Sequence, residues 1–115
     1  MVKIAPSMLG ADFGNMEKEA RAVAPYSAYL HMDIMDGHFV PNITMGPDLV
    51  SSLKGIAPLD VHLMVTDPLN FIKDFKDAGA EIISVHVEAK NPLEALKIIK
   101  DEGMMGGIAL NPSTH

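Results

Sequence analysis

The sequence predicts an α/β fold in which parallel strands alternate with helices. Short β-prone apolar segments alternate with amphipathic segments along the whole chain. Gly-Pro, Asp-Pro and Asn-Pro pairs stand where helices would begin, and glycines stand where two of them would end. Strands joined by helices form parallel sheets with right-handed crossovers. We therefore expect the order βαβαβαβαβ, with about five strands and four helices.

Five segments are predicted as strands because they are rich in apolar and β-branched residues. In order along the chain they are Val2–Ser7, Ala28–Met35, Leu59–Val65, Glu81–Val87 and Gly107–Leu110. Side chains alternate between the two faces of a strand. In the second strand, His31 and Asp33 therefore share one face, while Met32 and Ile34 share the other.

Four amphipathic segments between these strands are predicted as helices. Asp12 is the candidate N-cap of the first helix. The apolar face of that helix consists of Met16, Ala20 and Val23. The other three helices are predicted to begin at Gly46-Pro47, Asp67-Pro68 and Asn91-Pro92, since proline fits the first helical turn. Gly79 and Gly103 are the expected stops of the last two helices.

Length and composition indicate one globular domain and exclude several function classes. The 115 residues are 48% hydrophobic and 21% charged and include no cysteine, so neither disulfides nor thiolate chemistry is available. No apolar run approaches the ~20 residues of a membrane span, and no signal-peptide pattern is present, so we expect a cytoplasmic protein. A net charge of −6 without a basic run argues against nucleic acid or membrane partners.

Polar side chains stand at the carboxyl ends of all five predicted strands. They are Ser7, His31 and Asp33, His62, His86 and Glu88, and Asn111. A doubly wound sheet would concentrate ligand contacts near one switch point, whereas a (β/α)8 barrel collects them around a shared lumen. The pattern therefore favours part of a barrel. No glycine-rich phosphate motif follows the first strand, which argues against dinucleotide binding.

His31, Asp33 and His62 form a candidate metal site because imidazole and carboxylate both bind divalent cations. From the residues alone, a hydrogen-bonded cluster without a metal remains an equal alternative. His86 is interpreted as a hydrogen-bonded lumen residue rather than a ligand. Met35 and Met64, at the strand ends, either line a pocket or fill the core.

Five blocks of sequence together resemble the ribulose-5-phosphate 3-epimerase family, and they occur in family order. They are Ile4–Ser7, His31–Asn42, Leu59–Val65, Ser84–Glu88 and Leu110–Pro112. The MDGHFVPN stretch within the second block is highly specific, and the DVHLMV stretch supports it independently. The related allulose-6-phosphate 3-epimerases share much of this pattern and stay an alternative.

The resemblance implies a TIM barrel, of which residues 1–115 are the N-terminal portion, and an isomerase that inverts C3 of a ketose phosphate. It implies one divalent metal ion (Zn, Fe, Mn or Co) held by His31, Asp33 and His62. Asp33 would also act as one acid/base group. The implied substrate contacts are Ser7, His62, Met35 and Met64.

The same resemblance places a second acid/base aspartate on the seventh strand and the phosphate-binding loops after strands six to eight. These features lie beyond the 115 residues, against roughly 250 for a typical barrel. We therefore expect this chain to be inactive alone and to associate, as a homo-oligomer or with a complementary C-terminal half. A non-catalytic half-barrel assembly or metal-binding module is the alternative of another class.

Overall fold

Four parallel strands form one sheet in the order β1-β2-β3-β4 in the computed structural model, which describes residues 1–115. The strands are β1 (Leu30–Met35), β2 (Leu59–Met64), β3 (Ala80–His86) and β4 (Met105–Ala109). The helices are α1 (Met16–Val23), α2 (Pro47–Ser52), α3 (Ile72–Asp77) and α4 (Pro92–Asp101). Sequential parallel strands separated by helices are the arrangement that the sequence predicts, and it is consistent with part of a barrel.

The core lies on one face of the sheet, and the sequence periodicity explains which face. Leu30, Met32 and Ile34 of β1 are buried, as are the alternate residues of β2. They pack in a single cluster of 22 buried hydrophobic residues, to which the helices contribute side chains such as Phe75 and Ile99. The opposite face is left for the polar side chains. None of the helices has the length and apolar character needed to cross a membrane.

The prediction of a first strand over Val2–Ser7 is wrong. Ser7 forms a single parallel bridge with His31, and the preceding residues have no regular structure. The carbonyls of Ile4 and Pro6 accept hydrogen bonds from Ala28 and His31, but Pro6 has no N–H to donate in return. The segment therefore lies beside β1 without forming a continuous ladder, so the sheet has four strands rather than five.

The helix boundaries differ from expectation at two N-termini. Asp12 caps a short 3-10 turn, Phe13–Asn15, which leads into α1. Asp67 makes no capping hydrogen bond, and Pro68–Asn70 forms a 3-10 turn before α3. The predicted stops are confirmed: Gly79 and Gly103 adopt positive φ angles of 106° and 85°, which favour glycine.

Gly107 allows β4 to pack closely on β3, and we expect Gly107→Ala to destabilise the chain. A Cβ atom at this position would lie 2.3 Å from Ser84 Oγ and 3.2 Å from Ser84 Cβ. Overpacking of this kind costs about 1–3 kcal/mol of unfolding free energy, measurable by urea denaturation. The control is Gly10→Ala, where no atom lies within 4 Å of the added Cβ. The double variant Ser84→Gly, Gly107→Ala should recover part of the loss, and an unchanged Gly107→Ala midpoint would contradict the packing argument.

Candidate metal centre

The parallel register brings the polar ends of β1 and β2 together on the face opposite the core. Asp33 pairs with His62 across the two strands, and Met35 pairs with Met64. Because alternate residues share a face, His31, Asp33 and Met35 lie along one line on β1. Four polar residues predicted for the site, Ser7, His31, Asp33 and His62, therefore meet at one place.

Asp33 lies at the centre of this group and is 9% exposed. Its Oδ1 atom is 3.1 Å from His31 Nε2 and 3.0 Å from His62 Nδ1. Its Oδ2 atom accepts a hydrogen bond from the hydroxyl of Ser7. One carboxylate therefore orients both imidazoles and anchors the N-terminal segment to the sheet.

The charges of this cluster shift the pKa values of its members in opposite directions. Hydrogen bonds to Asp33 and then to Asp60 raise the pKa of His31 to about 10, against the opposing effect of partial burial. Burial by itself would raise the pKa of Asp33. The hydrogen bonds from His31, His62 and Ser7 outweigh that effect and hold it well below its usual range. Without a bound metal, His31 and Asp33 therefore form an ion pair at neutral pH.

We expect the metal-free chain to lose stability as the pH rises from about 6.5 towards 10. The folded pKa of His31, about 10, lies above its ordinary value of 6.5. The stabilisation is thus complete below pH 6.5 and is lost as the pH rises through the folded pKa. Urea unfolding with a chelator at pH 6 and pH 9.5 measures the loss, and His31→Gln should reduce it. Equal losses in both proteins would contradict the assignment.

The donor set of this cluster fits a divalent metal ion. His31, Asp33 and His62 each offer one ligand atom, and these atoms all lie within 4.8 Å of one another. Two imidazole nitrogens and a carboxylate oxygen suit borderline divalent cations, and three protein ligands leave a coordination position open. Met35 and Met64 are half-buried and lie outside the buried core cluster.

Asp60 is a member of the site that the sequence analysis did not identify. Its Oδ2 atom is 2.8 Å from His31 Nδ1, so His31 lies between two carboxylates. The available signal was the alternation within β2, because Asp60 lies two residues before His62 and therefore on the same face. Its contact with His31 depends on the register, in which His31 pairs with Asp60.

His86 and Glu88 extend the cluster along the next strand. The 5% exposed His86 places its Nε2 atom 2.8 Å from His62 Nε2, and its Nδ1 atom is 3.1 Å from Glu88 Oε1. The ring of Phe39 packs against His86 at a centroid distance of 5.0 Å. The interpretation of His86 as a hydrogen-bonded residue agrees with this geometry.

Asp36 closes the loop that follows β1. Its carboxylate accepts backbone hydrogen bonds of 2.8 Å from His38, Phe39 and Thr66. Burial alone would raise the pKa of Asp36, but these three bonds, that from Thr66 foremost, lower it. The loop is therefore tied to the end of β2, and Phe39 is held beside His86.

Comparison of the sequence with known proteins identifies a family that this chain matches. The family model described as the ribulose-phosphate 3 epimerase family matches residues 3–115. A ribulose-phosphate 3-epimerase of Bacillus subtilis is 47% identical over 118 residues, covering 99% of this chain and 54% of the relative.

Two further relatives match this chain with similar identity and over a similar share of their length. The cytoplasmic isoform of Oryza sativa is 47% identical, covering 97% of this chain and 51% of its own length. The Escherichia coli enzyme is 46% identical, covering 96% and 52%. The chain thus spans about half the length of the curated relatives it matches. It belongs to the ribulose-phosphate 3-epimerase family, whose fold is a TIM barrel.

Proposed function

We propose that residues 1–115 are the N-terminal portion of a ribulose-phosphate 3-epimerase, which interconverts D-ribulose 5-phosphate and D-xylulose 5-phosphate by inverting C3. The observation that carries the proposal is the group of His31, Asp33 and His62 at the strand ends. The names of the relatives support the substrate, and the rice relative, named a cytoplasmic isoform, supports a cytoplasmic location.

In this proposal each residue of the site has a defined task. The C3 proton is acidic because it is adjacent to the C2 ketone, and Asp33 takes or returns it on one face of the substrate. Ser7 and His62 contact the substrate, and Met35 and Met64 exclude water from the reacting carbons. One divalent ion (Zn, Fe, Mn or Co), when bound by His31, Asp33 and His62, would act as a Lewis acid that stabilises the developing negative charge.

A chimera tests the proposal directly. This chain replaces the corresponding N-terminal half of the Bacillus subtilis relative, to which it is 47% identical. A coupled assay then measures xylulose 5-phosphate formed from ribulose 5-phosphate. We expect turnover in the chimera and a loss of roughly 10²–10⁴-fold in its Asp33→Asn form, the contribution of one general acid/base group.

The same chimera separates the alternatives. A folded, metal-loaded chimera without turnover on either sugar phosphate would contradict the proposal and favour a non-catalytic metal-binding module. Faster turnover of allulose 6-phosphate than of ribulose 5-phosphate would favour the allulose-6-phosphate epimerase alternative.

We also propose that the isolated chain associates, with a second copy of itself covering the edge that a complementary C-terminal half would otherwise cover. β4 is the last strand of the sheet, and its backbone edge is open for pairing. Near it the large apolar residues Met105, Ile108 and Leu110 are 62%, 40% and 56% exposed. Exposed apolar area next to an open edge favours association.

Sedimentation across a concentration series tests the association. We expect a species that approaches twice the monomer mass of 12.4 kDa as the concentration rises. Replacing the exposed Ile108 with lysine should shift the equilibrium towards monomer, because a charge on an edge strand opposes pairing. A concentration-independent monomer with cooperative thermal unfolding would contradict the proposal.

A further inference from the structure

The buried histidine of β3, His86, has no role in the proposed function, yet each of its two ring nitrogens has a hydrogen-bond partner. His86 connects His62 to Glu88 through contacts of 2.8 Å and 3.1 Å, one at each ring nitrogen. The second oxygen of Glu88 accepts the backbone N–H of Asn111 at 2.8 Å and the hydroxyl of Thr114. The three residues form a continuous chain from the candidate metal site to the segment after β4.

We propose that His86 and Glu88 are positioning residues that hold His62 in the one tautomer whose Nδ1 atom is free to bind a divalent cation. The inference rests on the proposed function, since it concerns the same metal site. It adds a role for two residues that do not themselves supply metal ligands.

The acceptor at the end of this series of hydrogen bonds, Glu88, determines which nitrogen of each imidazole carries a hydrogen. The carboxylate of Glu88 only accepts, so the facing Nδ1 atom of His86 carries a hydrogen. A neutral His86 then has a bare Nε2 atom and must accept from His62. The Nε2 atom of His62 therefore donates to His86, and Nδ1, which faces the carboxylate of Asp33, is the nitrogen on which a cation would take the place of hydrogen.

The contact with His86 disfavours the opposite tautomer, whereas the contact with Asp33 favours it as long as no cation is bound. If the hydrogen of a neutral His62 were on Nδ1, two bare nitrogens would face each other across 2.8 Å. That tautomer would place the hydrogen on the nitrogen that faces Asp33 Oδ1 at 3.0 Å, where a cation would have to displace it. The burial of His86 beside Phe39 limits compensation by water.

The other imidazole of the site, that of His31, is fixed in a similar way by a carboxylate in direct contact. His31 turns Nδ1 to the carboxylate of Asp60 and Nε2 to Asp33. A carboxylate behind a metal-binding histidine fixes the ring and its tautomer. Glu88 lies one strand farther from the site, so its carboxylate fixes the ring of His62 through a second imidazole, that of His86.

Zinc binding to variants of the 115-residue chain tests the proposal, with Zn²⁺ alone as the probe and a chromophoric chelator as competitor. We expect Glu88→Gln and His86→Leu to weaken Zn²⁺ binding roughly ten- to hundredfold, the usual effect of removing an outer partner. His86→Gln should retain most of the affinity, because its amide can accept from His62 and donate to Glu88. The matched control Glu81→Gln, an exposed glutamate at the other end of β3, should bind as wild type.

The tautomer itself supplies a readout that a general loss of stability would not produce. In ¹⁵N spectra of the Zn²⁺-loaded wild type we expect His62 to have a metal-bound Nδ1 and a protonated Nε2. In Glu88→Gln the Zn²⁺-free fraction at a given Zn²⁺ concentration should rise, while the thermal midpoint of the folded, metal-free chain stays near that of Glu81→Gln.

Each outcome decides between the two proposals. Wild-type affinity in both Glu88→Gln and His86→Leu, or a protonated Nδ1 on His62 in the Zn²⁺-loaded chain, would overturn the positioning role alone. Equal Zn²⁺ binding by wild type and Asp33→Asn would instead overturn the metal site and, with it, this inference. Should His86→Leu fail to fold, Glu88→Gln decides, since Glu88 lies outside the buried core.

Discussion

The Asp33→Asn variant is expected to bind Zn²⁺ at least roughly 100-fold more weakly than the wild-type chain. Loss of a residue that only hydrogen-bonds to a metal ligand weakens metal binding about 10–100-fold, and Asp33 is itself a candidate ligand. Asp33 offers the carboxylate oxygen that lies within about 3 Å of both candidate histidine ligands. Asparagine keeps the shape of the side chain but removes its charge. An amide oxygen is also a poorer ligand for a borderline cation than a carboxylate oxygen.

Isothermal titration with Zn²⁺ measures the effect, and Asp101→Asn is the matched control. Asp101 is exposed at the end of α4, away from the strand ends that form the site. The control should titrate as wild type, and circular dichroism should show both variants folded. Equal binding by Asp33→Asn and wild type would remove Asp33 from the metal site.

The second large effect is expected in turnover. The turnover of the 115-residue chain, loaded with Zn²⁺, should be lower than that of the chimera by roughly 10²–10⁴-fold, the contribution of one general acid/base group. Inversion at C3 needs such a group on each face of the substrate. The other carboxylates near the site are already engaged. Asp60 binds His31, Glu88 binds His86, and Asp36 accepts three backbone N–H groups.

The coupled assay for xylulose 5-phosphate compares the chain, the chimera and the chimera carrying Asp33→Asn under the same metal loading. Adding the separate C-terminal half of the relative to the chain is the complementary arm, and recovery of turnover there would support assembly of two halves. Activity of the chain alone within tenfold of the chimera would show that a second acid/base group lies among these 115 residues.

The sequence alone determined the order of the elements and most members of the candidate site. Apolar periodicity predicted the four helices and four of the five strands, since burial on one face imposes that periodicity. Ser7, His31, Asp33 and His62 could be grouped because parallel strands bring their carboxyl ends to one edge. The MDGHFVPN stretch then indicated the family to which the chain belongs.

The tertiary structure decided what depends on register and on competition for hydrogen bonds. Val2–Ser7 does not join the sheet as a strand because Pro6 lacks an N–H donor for the ladder, which the apolar pattern by itself does not take into account. Asp60 reaches His31 only because the two residues are paired across strands. The contact between His62 and His86 likewise joins side chains 24 residues apart in the sequence. Periodicity reports which face a side chain occupies, whereas its partner on that face is fixed only when neighbouring strands align.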